Sequence, residues 1–228
     1  MNKNPPNRDQ KKIGLFGGTF NPIHSGHIKA AGVVQELFAL DSVLFIPSFI
    51  PPHKESEQIV SPVHRFKMVE LALENSSYFV ASSLEIEEKG TSYSILTLQK
   101  IRRIYPEALF FFILGIDAFL EIDTWKNHEL VMEQCKFVVI SRIGYRLDDA
   151  KNVLDRKYAS EMCDLSETEK IRENLDLTYK IFLVPFNALD VASTDIRNRL
   201  RENLPIIHMV PKKVAGYIFE NNLYQRGK

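Results

Sequence analysis

Apolar positions along the chain fall into two recurring patterns. Lys12-Ile13-Gly14-Leu15-Phe16, Ser42-Val43-Leu44-Phe45-Ile46 and Tyr78-Phe79-Val80-Ala81 are brief continuous runs, the pattern of strands buried on both faces. Between them, Ile28, Ala31, Val34, Leu37 and Phe38 recur at the 3.6-residue period of an amphipathic helix. Ser61-Pro62 reads as an N-cap followed by proline at the first helical position. Phe66, Val69, Leu71, Ala72 and Leu73 form the buried stripe of that helix, with His64 and Arg65 on its exposed side. The acidic run Glu85 to Glu88 reads as a surface connection. Ser92 is then placed to cap a helix carrying Ile95, Leu98, Ile101 and Ile104, with Tyr93 and Ser94 in its first turn.

Ala108 to Leu114, with three consecutive phenylalanines, is the most hydrophobic stretch and predicts a central strand. Lys136 to Ser141 and Ile181 to Val184 supply further strands, and Pro211 opens a terminal helix packed through Val214, Tyr217, Ile218 and Phe219. From Gly144 to Lys180 the pattern is polar and weakly helical, reading as surface helices joined by loops. Five buried strands alternating with helices, plus a late sixth, predict an α/β fold: a Rossmann-like doubly wound parallel sheet in a single domain.

Composition narrows the partners. At 228 residues and 45% hydrophobic the chain can bury one full core. Its 29 basic and 29 acidic residues cancel, which leaves no electrostatic footprint for nucleic acid or an anionic membrane, so any bound anion must be held locally. Two cysteines without CxxC spacing fit a reduced, cytoplasmic protein. Residues 1–11 are polar and proline-containing, a disordered tail rather than a signal peptide, with the folded domain expected over 12–228. No apolar run reaches the roughly 20 residues a spanning helix requires. The oligomeric state stays open, a homo-oligomer included.

The chemistry concentrates in Gly17-Gly18-Thr19-Phe20-Asn21-Pro22-Ile23-His24-Ser25-Gly26-His27, which lies between the first strand and the first helix. A strand that turns on glycines into a helix offers bare N–H groups and the positive end of a helix dipole to phosphate. A single histidine near a turn is ordinarily a capping or packing residue. At i and i+3, however, His24 and His27 share one face of the helix start. A zinc site would need further ligands, and no Cys, Asp or Glu lies close by in sequence.

Farther along, Pro51-Pro52-His53-Lys54 is a stiff segment in the loop from Ser48 to Val60, and Lys54 reads either as a solvated lysine or as a cation over polyphosphate. Asp117, in Gly115-Ile116-Asp117, follows the central strand, where open sheets bind ligands. Trp125 offers either a structural indole or a platform for an aromatic ring. Ser193 or Thr194 can cap a helix with Arg197 one turn inside, a second helix start able to meet phosphate or an ordinary capped helix.

Taken in order, Gly17 to His27, Pro51-Pro52-His53-Lys54, Ser92-Tyr93-Ser94, Gly115-Ile116-Asp117 with Trp125, and Val191-Ala192-Ser193-Thr194-Asp195-Ile196-Arg197 resemble the HxGH nucleotidyltransferases over nearly the whole chain. More narrowly, they resemble the bacterial nicotinate-nucleotide adenylyltransferases. Asn21 stands where that family commonly has Asp, Ser94 where it has Thr, Ala192 where it has Ser, and Lys126 where an aromatic is frequent. The resemblance implies adenylyl transfer from ATP to nicotinic acid mononucleotide, giving deamido-NAD and pyrophosphate. It implies catalytic roles for His24, His27 and Arg197, and ATP contacts from Gly17, Gly18, Thr19, Phe20, Lys54, Gly115, Asp117, Ser193 and Thr194. Acceptor contacts fall to Ser94, Trp125 and Lys126, and Mg²⁺ arrives mainly on the ATP phosphates. The alternatives are a sister transferase acting on another acceptor, such as nicotinamide mononucleotide or phosphopantetheine, and a nucleotide-binding regulator without turnover.

Overall fold

Among the described residues, seven runs of extended chain pair edge to edge, all parallel, in the order β3-β2-β1-β4-β5-β7-β6. The computed structural model describes residues 10–52, 59–153, 156–166, 175–186 and 191–225. The strands are β1 (Lys12–Gly18), β2 (Ser42–Pro47), β3 (Phe79–Ala81), β4 (Leu109–Gly115), β5 (Lys136–Ile140), β6 (Met162–Asp164) and β7 (Ile181–Val184). The principal helices are α1 (Ser25–Phe38), α2 (Pro62–Leu73), α4 (Ser94–Ile104), α6 (His128–Gln134), α8 (Ser193–Arg201) and α9 (Lys212–Glu220). Shorter ones are α3 (Leu84–Glu88), α5 (Ile116–Phe119) and α7 (Arg156–Ala159).

Alternation along β4 explains why its phenylalanine run suits the centre. Phe111 and Ile113 face the core beneath α1, α2 and α9, with Val34, Phe38, Phe45 and Ile218. Phe110, Phe112 and Leu114 face the opposite core beneath α4 and α6, with Leu98, Phe119, Val131 and Phe137. Each such side chain taken from water contributes about 1.5–3 kcal/mol, which accounts for an apolar residue at every inner position. Strand order reverses between β1 and β4, so Gly18 and Gly115 end side by side at the switch point, where a crevice opens.

Several expectations are corrected. The polar stretch 144–180 contributes β6, a three-residue strand at the sheet edge whose residues are all half-buried. A strand that short and that exposed carries no periodicity to read. Glu85 to Glu88 lie within α3 rather than in a loop. Arg65 is not exposed: it is fully buried, and α2 buries Met68, Val69 and Leu73 alongside it. Ser92 does not cap α4, whose N-cap is Tyr93; its hydroxyl instead accepts the Phe49 N–H at 2.9 Å. Phe219 and Ile104 are exposed. Residues 1–9 of the expected tail lie outside the described residues, while Gln10 donates to the Glu107 carbonyl and the Lys11 carbonyl accepts from Leu109.

Candidate active site

The segment joining β1 to α1 sits over the switch point. Gly17 and Gly18 are the last residues of β1, and neither has positive φ; the left-handed residue is Phe20, at φ 47°. The need for glycine at position 18 is close approach, because a Cβ there would stand 3.3 Å from the Phe20 ring. Gly26 has a parallel reason: a Cβ would come within 3.0 Å of the His24 imidazole.

His24 is the N-cap of α1 and His27 lies one turn inside, so the i, i+3 spacing brings their rings to 3.7 Å between centroids. The His24 N–H donates to His27 Nδ1 at 3.3 Å, which in the neutral ring leaves the proton on Nε2. Phe16 and Phe20 hold the His27 ring edge-on. His24 is 4% exposed, and its pKa is pushed down to about 4, first by burial and then by the charge of Arg142. It is therefore a neutral hydrogen-bonding group at pH 7.

The last motif closes the other side. Arg197 Nη1 donates to the Asn21 carbonyl at 2.9 Å, Nη2 donates to Thr194 Oγ1 at 3.2 Å, and the Ser193 hydroxyl donates to the Pro22 carbonyl at 2.9 Å. Ala192 occupies the N-cap of α8, so the expectation that Ser193 or Thr194 caps it does not hold. Ser193 ties α8 to the β1 loop instead, and the exposed Thr194 accepts from Arg197. Asp117, at the head of α5, pairs with Arg142, and a Cβ on Gly115 would collide with its carboxylate. Trp125 packs edge-on against Phe112 at 5.7 Å, and the Lys126 ammonium lies over the Tyr93 ring at 4.4 Å, beside Ser94.

These residues line one cavity of about 1020 Å³, which takes in every candidate site residue except Lys54, a position outside the described residues. A second cavity of about 380 Å³ along α8 contains none of them. Among the described residues, the buried side-chain polar atoms without a partner are both ring nitrogens of His24, Ser48 Oγ, Asp117 Oδ1 and Arg197 Nε. All four residues line the large cavity. A buried polar group left unpaired costs about 1–3 kcal/mol, so their concentration in one space marks where a polar ligand would supply the missing partners.

Residues 15–199 match the cytidylyltransferase-like family model. The chain belongs to that family. Its relatives include a probable nicotinate-nucleotide adenylyltransferase of Desulfitobacterium hafniense strain Y51, 38% identical, which covers 99% of this chain and all of that one. A second, from Geotalea daltonii, is 35% identical and covers 95% of this chain and all of the relative. Within the cytidylyltransferase-like proteins the chain is thus a nucleotidyltransferase of the nicotinate-nucleotide adenylyltransferase type. The fold is shared with Plasmodium falciparum nicotinic acid mononucleotide adenylyltransferase complexed with NaAD, at TM-score 0.70 and 19% identity, covering 94% of this chain and 98% of that one.

Three polar residues of this cytidylyltransferase-like chain escaped the sequence reading. Arg142 follows the end of β5, beside the switch point, and its position after a strand was the available signal. Glu85 accepts the Thr97 hydroxyl at 2.5 Å, and burial raises its pKa against the opposing hydrogen bonds and cations. Arg65 sits behind the β1 loop, where it donates to the carbonyls of Thr19 at 2.8 Å, Phe49 at 2.9 Å and Val60 at 3.1 Å. Burial lowers its pKa to about 10, so it remains a cation. In the local sequence it looks like any helix-surface arginine.

Proposed function

We propose that the protein transfers the adenylyl group of ATP to nicotinic acid mononucleotide, forming deamido-NAD and pyrophosphate in NAD biosynthesis. The observation that carries the reading is the set of unsatisfied polar atoms from His24, Ser48, Asp117 and Arg197 gathered around one cavity at the switch point. A phosphate oxygen of the mononucleotide attacks the α-phosphorus of ATP, a new P–O bond forms, and the bond from that phosphorus to the bridging oxygen of pyrophosphate breaks. The attacking group is already an anion, so no protein nucleophile is required. Catalysis consists of aligning two anions and stabilising the charge that develops on the leaving pyrophosphate.

Backbone N–H groups of Gly18 to Phe20 and the imidazoles of His24 and His27 are the proposed donors to the triphosphate, with Arg197 and Lys54 as cations. Because His24 is neutral it acts as a directed donor, leaving charge compensation to the arginine and lysine. ATP enters as its Mg²⁺ complex. Among the described residues no three His, Cys, Asp or Glu gather to hold a metal, so the side chains offer that ion no cage and no step is assigned to it. Trp125 supplies the stacking face for the pyridine. The N–H groups of Trp125 and Lys126 and the Ser94 hydroxyl are the proposed donors to the ring carboxylate. Unbridged Cys135 and Cys163 fit a cytoplasmic setting, and among the described residues no helix is long and apolar enough to cross a membrane.

Comparing kcat/KM for nicotinic acid mononucleotide and its amide tests the acceptor. An amide turns its NH₂ toward one of these donors and leaves it unpaired, which predicts a preference for the acid of about ten- to hundredfold. A ratio near one overturns the acceptor assignment. Absence of pyrophosphate release with either mononucleotide overturns adenylyl transfer itself.

A further inference from the structure

Arg65 is fully buried, yet among the described residues it meets no carboxylate at hydrogen-bonding range; each of its three nitrogens donates to a main-chain carbonyl, from three different segments. Thr19 belongs to the loop after β1, Phe49 to the chain after β2, and Val60 to the approach to α2. Sequestering a guanidinium is costly, and an apolar side chain of similar volume commonly serves stability as well or better. The location of the bonds therefore matters more than their number.

We propose that Arg65 is a positioning residue that aims the Phe20 N–H into the cavity by holding the Thr19–Phe20 peptide. This rests on the reading that N–H groups of Gly18 to Phe20 receive the triphosphate. The peptide unit is planar and trans, so the Thr19 carbonyl and the Phe20 N–H point in opposite directions. Arg65 holds that carbonyl from the buried side at 2.8 Å, which turns the N–H away from the guanidinium. Thr19 and Phe20 themselves line the cavity.

Two features sharpen the assignment. Phe20 has φ 47°, a conformation that a residue with a Cβ keeps only where its surroundings hold it, and Arg65 grips the peptide immediately before it. A cation hydrogen-bonded to a carbonyl also polarises the whole amide, which makes the N–H on its far end a stronger donor to an oxyanion. The same guanidinium holds Phe49 and Val60, on either side of the segment that carries Lys54.

The test is Arg65→Lys, which keeps the charge but cannot span three carbonyls with one ammonium. Pyrophosphate release is measured over a range of mononucleotide concentrations up to saturation, with ATP saturating, below the melting transition of both proteins. The expected result is a kcat lowered about ten- to hundredfold, with KM for the mononucleotide within about twofold of wild type. A lowered melting temperature with kcat within about threefold would show a purely structural arginine and overturn the proposal, as would a loss confined to the mononucleotide KM.

A second measurement uses the intact wild-type protein and decides the matter if Arg65→Lys does not fold. The amide resonance of Phe20 is followed while α,β-methylene-ATP is added with Mg²⁺. It should move and gain protection from exchange, and an unmoved resonance overturns the proposal. If wild type shifts this amide yet releases no pyrophosphate with any mononucleotide, adenylyl transfer fails while the positioning of Phe20 stands.

Discussion

Behind the loop from Thr19 to Asn21, each nitrogen of Arg65 donates to a carbonyl, and Asn21 Oδ1 accepts both the Val60 N–H at 3.2 Å and the Tyr224 hydroxyl at 2.9 Å. In front of the same loop, both ring nitrogens of His24 and the Arg197 Nε are buried without partners. Each side places an arginine against this one loop, but the two sides differ in satisfaction. A fully paired polar group is committed to holding the chain, whereas an unpaired buried one costs the fold about 1–3 kcal/mol and is retained only where something else requires it. The contrast separates polar groups whose bonds are made within the fold from those that keep an unpartnered atom more sharply than burial or charge does: Arg65 and Arg197 are both arginines lowered in pKa by burial.

Removing a front-side group should therefore damage turnover far more than the fold. The largest effect is expected from His27→Ala, which deletes a proposed donor at the start of α1 and its bond to the His24 N–H, and should lower kcat about 10²–10³-fold while costing the fold only about 1 kcal/mol. Steady-state pyrophosphate release with a parallel thermal melt measures both. A kcat within a few-fold of wild type would mean that the front of the loop is not the reacting side.

Next comes the stability that the neutral His24 contributes. Its ordinary pKa of 6.5 applies in the unfolded chain and falls to about 4 in the fold, so the unfolded state takes up the proton first as pH drops. The contribution is complete above pH 6.5 and is lost progressively between pH 6.5 and 4, by up to about 3 kcal/mol. Urea melts of wild type and His24→Gln across that window should show the steeper decline in wild type. Identical slopes would place His24 among the ordinary solvated histidines and blur the front-to-back distinction.

Arg197→Ala should cost about ten- to hundredfold in kcat/KM for ATP, the equivalent of one lost charged contact, while the Ser193 bond to Pro22 keeps α8 docked. Unchanged kcat/KM at limiting ATP would mean that Arg197 is a fastener like Arg65, its role ending at the Asn21 carbonyl.

Much of this was legible in the chain. The six expected strands appear, because continuous apolar runs flanked by polar or turn residues have no other low-energy placement in a protein of this size. The pairing of His24 with His27 follows from helical spacing alone, and the switch-point position of Gly115 and Asp117 follows from their place just after the longest apolar strand. Beyond local reading lay β6, too short for periodicity, and the caps of α4 and α8, where a serine next to the cap position instead bonds a distant segment.

By itself, then, the sequence determined the alternation of strands and helices, the layering of the sheet and the motif that turns β1 into α1, since each depends on residues within a few positions of one another. It could not reveal that Arg65 is buried, that Arg142 pairs with Asp117, or that Tyr224, 203 positions away, donates to Asn21. Whether an arginine on a helix meets water or three carbonyls depends on which loops the sheet order brings over that helix. Hydrogen bonds of that kind join segments whose proximity is created by folding, and only the tertiary structure decided them.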